Sequence, residues 1–260
     1  FPTVIAAKIF RIPIIIHESD SVPGRANKWA GKFATKIAIS YPEASKYFPE
    51  GTIAHTGNPV RKELYTTAPE GASEFLRLEP NVPVVLILGG SQGSAIINDA
   101  IIGALPELVK EFQIIHQTGQ KNFEQVKSTA EVVLEGSEHS ERYRAFEYLN
   151  DLALRMAAGA ADVIISRAGS TIYEIAIWGV PSIIIPITES NGDHQRINAF
   201  SYARSGAAIG NEEKNLSPHI LTAEIKRIAT DSELREKMKS GAKEFAHPNA
   251  ARLIAEALIE

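Results

Sequence analysis

The chain has 260 residues, 44% hydrophobic and 22% charged, so it is built to fold around a sizeable core and is neither disordered nor fibrous. Its 27 Lys and Arg against 31 Asp and Glu leave a net charge of −4, which excludes the basic surface of a general nucleic-acid binder. Cysteine is absent, which removes disulfide frameworks, thiolate zinc sites and thiol nucleophiles and fits a cytoplasmic protein. Apolar runs such as Ile183-Ile184-Ile185 are far shorter than the roughly 20 residues of a membrane-spanning helix. The opening Phe1-Pro2-Thr3-Val4 has no basic leader and no small-residue cleavage site, so no signal peptide is expected and the segment reads as the interior of a gene.

Short β-branched runs alternate with helical stretches, the pattern of a parallel sheet with crossover helices. Strands are expected at 13–17, 36–40, 52–55, 84–88, 113–116, 143–146, 163–166, 182–186 and 207–209. Most show little polar alternation, as strands covered on both faces do. Ala26, Trp29, Phe33 and Ile37 recur at helical spacing and predict a core-facing helix, as do Ile97, Ile101, Leu105 and Leu108. The stretch 65–83, with three prolines and little periodicity, marks a linker. Six of the nine strands follow it, enough for a complete doubly wound domain; the three before it are too few for an independent one. From Ser217 onward only helices are readable, opened by Ser217-Pro218, by Asp231 and by Pro248.

The glycine-rich turn Gly89-Gly90-Ser91-Gln92-Gly93-Ser94 lies between a predicted strand and a predicted helix, where free N–H groups and the positive end of the helix dipole suit a phosphate. It has neither the Walker lysine nor the G-x-G-x-x-G spacing, and a tight turn without a ligand is equally compatible. A second junction, from Ser166 to Glu174, repeats the arrangement. Glu174 one turn into its helix is suited to accepting hydrogen bonds from a ribose diol, or to capping the helix with Ser170 or Thr171. Gln195 and Asn198, three apart, share a helix face and offer two amides to a polyhydroxyl group, unless they are simply an exposed first turn. Arg61 offers a fork of donors to a base carbonyl or phosphate, or is a surface arginine. His116 at a strand end reads as a structural histidine rather than a base. No Asp-x-Asp pair and no zinc-spaced His/carboxylate set occurs, so no metal is expected.

Taken in order, His17-Glu18-Ser19-Asp20, Pro23-Gly24-x-Ala26-Asn27, Gly57-Asn58-Pro59-Val60-Arg61, Gly89-Gly90-Ser91-Gln92-Gly93, His116-Gln117-Thr118-Gly119, Ile165-Ser166-Arg167-Ala168-Gly169 and His194-Gln195-x-x-Asn198-Ala199 resemble the MurG family, over nearly the whole chain. That resemblance implies an α/β GT-B glycosyltransferase with two Rossmann-like domains, the first incomplete. It implies inverting transfer of N-acetylglucosamine (GlcNAc) from UDP-GlcNAc to a lipid-linked muramyl-pentapeptide, lipid I to lipid II, in peptidoglycan synthesis and hence in cell shape and division. It further implies no cofactor, no nucleic-acid partner and peripheral contact with the cytoplasmic face of the membrane. On this reading residues 1–66 are the C-terminal part of the acceptor domain, 67–82 a linker, 83–240 the UDP-GlcNAc domain and 241–260 a C-terminal helix.

By the same resemblance Arg61 and the backbone at Leu149 meet the uracil and Ser91 the diphosphate. Ser170, Thr171, Ile172 and Tyr173 lie against phosphate and sugar, Glu174 holds the ribose, Gln195 and Asn198 read the GlcNAc hydroxyls, and Asp20 approaches the donor from across the cleft. Position 20 is Asp where many members have Asn, and the stretch between Gly169 and Glu174 is one residue shorter than theirs. Against a GT-B pair of ordinary domains the chain starts about 90–100 residues late, so the family's N-terminal glycine-rich loop, its histidine and with them the catalytic base are expected outside this chain. The other readings are a different GT-B UDP-sugar transferase such as a diacylglycerol glycosyltransferase, a related UDP-GlcNAc epimerase, or a non-catalytic nucleotide-sugar-binding module.

Overall fold

The computed structural model describes residues 1–90 and 92–259. In chain order the elements are α1 (Pro2–Ile9), β1 (Ile15–Glu18), α2 (Arg25–Ala30), β2 (Lys36–Ile39), β3 (Ile53–His55), α3 (Ala72–Phe75), β4 (Val84–Leu88), α4 (Ala95–Leu108), β5 (Gln113–Gln117) and α5 (Phe123–Val133). They continue with β6 (Tyr143–Phe146), α6 (Asp151–Ala160), β7 (Val163–Ser166), α7 (Thr171–Trp178), β8 (Ser182–Ile184), α8 (His194–Arg204), β9 (Ala208–Gly210), α9 (Pro218–Thr230), α10 (Ser232–Phe245) and α11 (Ala250–Ile259). Each of the nine expected strands is present, within two residues at either end.

The strands form two parallel sheets, β1-β2-β3 and β6-β5-β4-β7-β8-β9. In the second, strand order reverses between β4 and β7, which pair Val85 with Val163 through Leu88 with Ser166. β4 and β5 are buried along their whole length, which is why they lack polar alternation. Alternate residues feed opposite cores. Leu86, Leu88, Ile164 and Ile184 pack with α6, α7 and α10, whereas Val85, Ile87, Ile165 and Ile183 pack with α4, α9 and the end of α5.

Helix α4 presents Ile97, Ile101, Leu105 and Leu108 to the core as its spacing predicts, all fully buried. The stripe at Ala26, Trp29, Phe33 and Ile37 is not one helix. α2 stops at Ala30, where a side chain on Gly31 would collide with the Phe48 ring; Ala26 is exposed and Ile37 lies in β2. Trp29 instead stacks edge-on between Phe1 and Phe33. The stretch 67–82 contains the short α3 and sends Ala72 and Leu76 into the main core. Ser217 and Asp231 cap α9 and α10 through their side chains, as the sequence indicates. The segment 241–260 is the end of α10 and then α11, separated by Ala246 to Asn249.

The sheets meet along an aromatic seam. Tyr41 from the first half packs on Tyr173 and Phe245 of the second, with ring centroids 5.4 and 5.9 Å apart, and Tyr202 packs on Phe245 at 4.9 Å. The Tyr173 hydroxyl donates to the Ser40 carbonyl at 2.7 Å, and the Trp178 indole donates to the Leu64 carbonyl at 2.8 Å. Arg204 pairs with Glu43 across the same boundary. Removing only the buried hydroxyl, in Tyr173→Phe, is expected to cost about 1 kcal/mol. Tyr173→Ala also opens a cavity and is expected to cost roughly 3–5 kcal/mol. Equilibrium urea unfolding of both variants checks the order; a Tyr173→Phe variant as stable as the parent would mean the seam bond contributes nothing.

Candidate functional site

A cavity of about 540 Å³ opens at the carboxyl edge of the six-stranded sheet, where the strand order reverses. In open parallel sheets this is where crossover connections diverge to the two faces and leave a crevice. Its floor is Leu88, Gly89, Gly90, Gln117 and Ser166; its walls include Arg61, Gln92, Gly93, Leu149, Arg167, Ser170, Thr171, Glu174 and Gln195.

Two helix N-termini face this space. α4 starts after Gly93, with the Ser94 side chain accepting from the Ile97 N–H. Its turn is held by a close backbone pass, because a side chain on Gly93 would run into the Thr118 carbonyl and one on Gly119 into Gly93. The two glycine motifs thus brace one another, each glycine at positive φ. Behind them the buried His116 is hydrogen-bonded on both ring nitrogens, to Tyr143 and Asn98 at 3.0 Å each, and desolvation pushes it down to about 3. It is the structural histidine its sequence position indicates. α7 begins at Thr171, after the exposed Ser170.

Arg61 reaches the rim from the first half and pairs with Asp151 at the start of α6, 2.6 Å away. Glu174 enters the cavity half-buried, and no hydrogen bond holds its carboxylate among the described residues. Burial raises its pKa, Arg61 nearby draws it down, and Asp151 pushes it up. A capping role is not realised, since Ser170 makes no side-chain cap bond. Gln195 lines the cavity with its Oε1 accepting from the Ile187 N–H at 3.1 Å, which leaves its NH₂ toward the open space.

The remaining expected residues are dispersed. The Leu149 N–H is taken by Gln117 Oε1 at 2.9 Å, although the residue lines the cavity. Ile172 and Tyr173 are buried in the core, because the first turn of α7 points Thr171 and Glu174 at the cavity and the two residues between them at the sheet. Their N–H groups are used by Gly169 and Ser170. Asn198 and Asp20 bond to each other at 2.9 Å and do not line the cavity. Ser91 lies outside the described residues.

Arg167 carries more of the site than its sequence suggests. Its guanidinium donates to Ser94 Oγ at 2.6 Å and to the Ile185 carbonyl at 3.1 Å, and pairs with Glu213 at 2.6 Å. Burial alone would raise the Glu213 pKa, but bonds from Thr188 and Arg167 hold it below the usual range. The signal was an arginine at a strand end between small residues, with no way to see Glu213 from the sequence. Among the described residues no group of three or more His, Asp or Glu could hold a metal ion, and no helix is long and apolar enough to cross a membrane.

The strand order, the second sheet and a crevice lined by helix N-termini define a GT-B nucleotide-sugar fold. The profile of the glycosyltransferase family 28 C-terminal domain matches residues 84–254, and that of its N-terminal domain matches residues 1–39. The chain is 36% identical over 260 residues to a Listeria welshimeri UDP-N-acetylglucosamine–N-acetylmuramyl-(pentapeptide) pyrophosphoryl-undecaprenol N-acetylglucosamine transferase, covering 99% of this chain and 70% of that one. The crystal structure of Acinetobacter baumannii MurG superposes with a TM-score of 0.76 at 26% identity, over 100% of this chain and 71% of that one. The S. aureus MnaA–UDP co-structure shares the fold, with a TM-score of 0.70 at 15% identity over 99% and 72% of the two chains. The chain belongs to glycosyltransferase family 28 and, within it, to the MurG family.

Because burial penalises the charged form of Glu174, the stability its protonated form contributes is present below the ordinary value of 4.5 and lost as pH rises through the raised folded value. Glu174→Gln is therefore expected to unfold at higher denaturant than the parent at about pH 8, with the gap closing toward about pH 4. Chemical denaturation at several pH values measures it; a gap independent of pH would mean that ionisation of Glu174 is not its source.

Proposed function

We propose that the chain transfers N-acetylglucosamine from UDP-GlcNAc to a lipid-linked muramyl-pentapeptide in peptidoglycan synthesis. The observation that carries this is a cavity at the strand-order reversal that gathers two helix N-termini, Arg61, the Gln195 amide and Glu174, which has no hydrogen bond among the described residues, in a chain 36% identical to a transferase of that name. In the reaction the acceptor hydroxyl oxygen bonds to the anomeric carbon as the bond from that carbon to the diphosphate oxygen breaks. UDP departs with the electron pair, and the hydroxyl proton passes to solvent. The α4 and α7 N-termini stabilise the charge that develops on the diphosphate.

The nucleotide half of the donor lies toward Arg61 and Leu149. With its N–H engaged by Gln117, Leu149 offers the base its carbonyl oxygen, which suits a ring N–H donor. The Glu174 carboxylate accepts from the ribose hydroxyls, and the Gln195 NH₂ donates to a sugar hydroxyl. The helix turn supports Ser170 and Thr171 in this role; the burial of Ile172 and Tyr173 assigns them to the scaffold. The domain division at 1–66, 67–82 and 83–240 is proposed on the same basis, with the acceptor held by the first sheet.

Glu174→Ala removes a charged acceptor and is expected to weaken UDP and UDP-GlcNAc alike by about 10–100-fold. Gln195→Ala is expected to weaken UDP-GlcNAc about tenfold and leave UDP unchanged. Isothermal titration of the folded variants tests both. UDP-GlcNAc binding untouched by either substitution would overturn this site.

We also propose peripheral contact with the cytoplasmic face of the membrane, where the lipid-linked acceptor is embedded. Helix α1 and the turn after it expose Phe1, Ile5, Ile9, Phe10 and Ile12 beside Lys8 and Arg11. An apolar surface flanked by cations suits an anionic bilayer. The double substitution Ile9→Ser with Phe10→Ser is expected to lower binding to phosphatidylglycerol vesicles at least about tenfold in sedimentation. Unchanged sedimentation would remove α1 from this role.

A further inference from the structure

Asn198, on the fifth residue of α8, is 1% exposed, and its amide is engaged in three directions. Its Nδ2 donates to Asp20 Oδ1 at 2.9 Å and to the Ala168 carbonyl at 3.1 Å. Its Oδ1 accepts from the Ser21 N–H at 2.9 Å. Both N–H donors are committed, so the side chain has none left for a sugar hydroxyl.

The partners come from three places. Asp20 and Ser21 belong to the loop after β1 in the first half of the molecule. Ser21, fully buried, also donates from Oγ to the His194 carbonyl at 3.2 Å. Ala168 stands immediately before Gly169 and Ser170, which line the cavity, and α8 itself carries Gln195 one turn before Asn198. A single buried amide therefore ties the loop of one sheet to both the turn and the helix that shape the pocket of the other.

The loop is rigid enough to transmit this. Glu18, 3% exposed, accepts from the Asp20 N–H at 3.0 Å and from Asn27 Nδ2 at 2.9 Å, and Asn27 also donates to the His17 carbonyl at 3.0 Å. The motif residues Glu18 and Asn27 thus hold Asp20 and Ser21 in place from behind. On the facing side, a side chain on Gly192 would come within 3.2 Å of Val22, so the two loops already run in close contact.

We propose that Asp20 and Asn198 form a clasp across the cleft, which makes Asn198 a positioning residue that couples the approach of the first sheet to the shape of the donor pocket, and not a contact to the transferred sugar. This rests on the donor-site reading above for its catalytic consequence, and on geometry alone for the clasp. Asp20 contributes only as an acceptor, so Asp20→Asn keeps the bond from Asn198 Nδ2, whereas Asp20→Ala deletes it.

The test combines hydrogen exchange with kinetics on the full chain and on a longer family relative carrying the equivalent substitutions. In Asp20→Ala, amides of segments 18–24 and 166–172 are expected to exchange about fivefold faster or more, and Asp20→Asn is expected to restore parental exchange. Asn198→Asp, which sets two carboxylates face to face, is expected to exceed Asp20→Ala in the same segments. Transfer by Asp20→Ala is expected to lose about tenfold in kcat with KM for UDP-GlcNAc within about twofold, and UDP and UDP-GlcNAc affinities are expected to shift equally. Unchanged exchange in both segments would overturn the clasp. So would a selective loss of UDP-GlcNAc over UDP affinity in Asp20→Ala, which would return Asp20 to a sugar contact. Exchange that responds as expected in a protein that binds no UDP-GlcNAc would leave the clasp standing and remove the donor-site reading instead.

Discussion

The reversal of strand order between β4 and β7 is the constraint from which the site follows. Chain connections leaving the two strands must turn to opposite faces of the sheet, so no crossover fills the gap above Leu88 and Ser166. The gap is then furnished by whatever the diverging loops bring: the start of α4 from one side and the start of α7 from the other. Glycines at 89 and 93 keep the first of these in a close backbone pass, and Arg167 bolts the two together through Ser94. A crevice lined by two helix N-termini and by polar side chains is the outcome, and it favours an elongated anion over a compact apolar ligand.

Much of this architecture was legible from residue pattern. Strands such as Val84–Leu88 and Val163–Ser166 were visible because buried parallel strands are short apolar runs bounded by turn residues, with no helical alternative of adequate length. The capped helices at Ser217 and Asp231 were visible because capping is local chemistry. The stripe through Ala26 and Phe33 misled because helical spacing says nothing of where a helix stops, and what requires glycine at 31, just past the end of α2, lies 17 residues away, in the Phe48 ring.

The candidate site was half legible for the same reason. Motif order located the turn at 169–174, but which of its side chains meet the cavity depends on the rotational phase of α7. That phase is set by burial of Ile172, Ile175 and Ala176 in the core. Within the first turn of α7, Thr171 and Glu174 are left to join Ser170 at the cavity. Asn198 follows the same rule: it shares a side of α8 with Gln195, but one more turn carries it to Asp20 and away from the cavity lining. Long-range partners such as Glu213 for Arg167 leave no local trace.

The two sheets are joined twice. The chain passes from the first to the second after β3, and it returns at the end of α10 so that Leu253, Ile254 and Ala257 of α11 line a cavity with residues of β2 and β3. The outgoing and returning crossings touch, the Tyr65 hydroxyl donating to the Pro248 carbonyl at 2.8 Å. A single tether would act as a ball joint and let the halves swivel about any axis. Two tethers side by side act as a door hinge, permitting rotation about the line that joins them and resisting twist about every other. With Tyr41 packed on Tyr173 and Phe245 beside them, the paired tethers hold the two sheets in one mutual register.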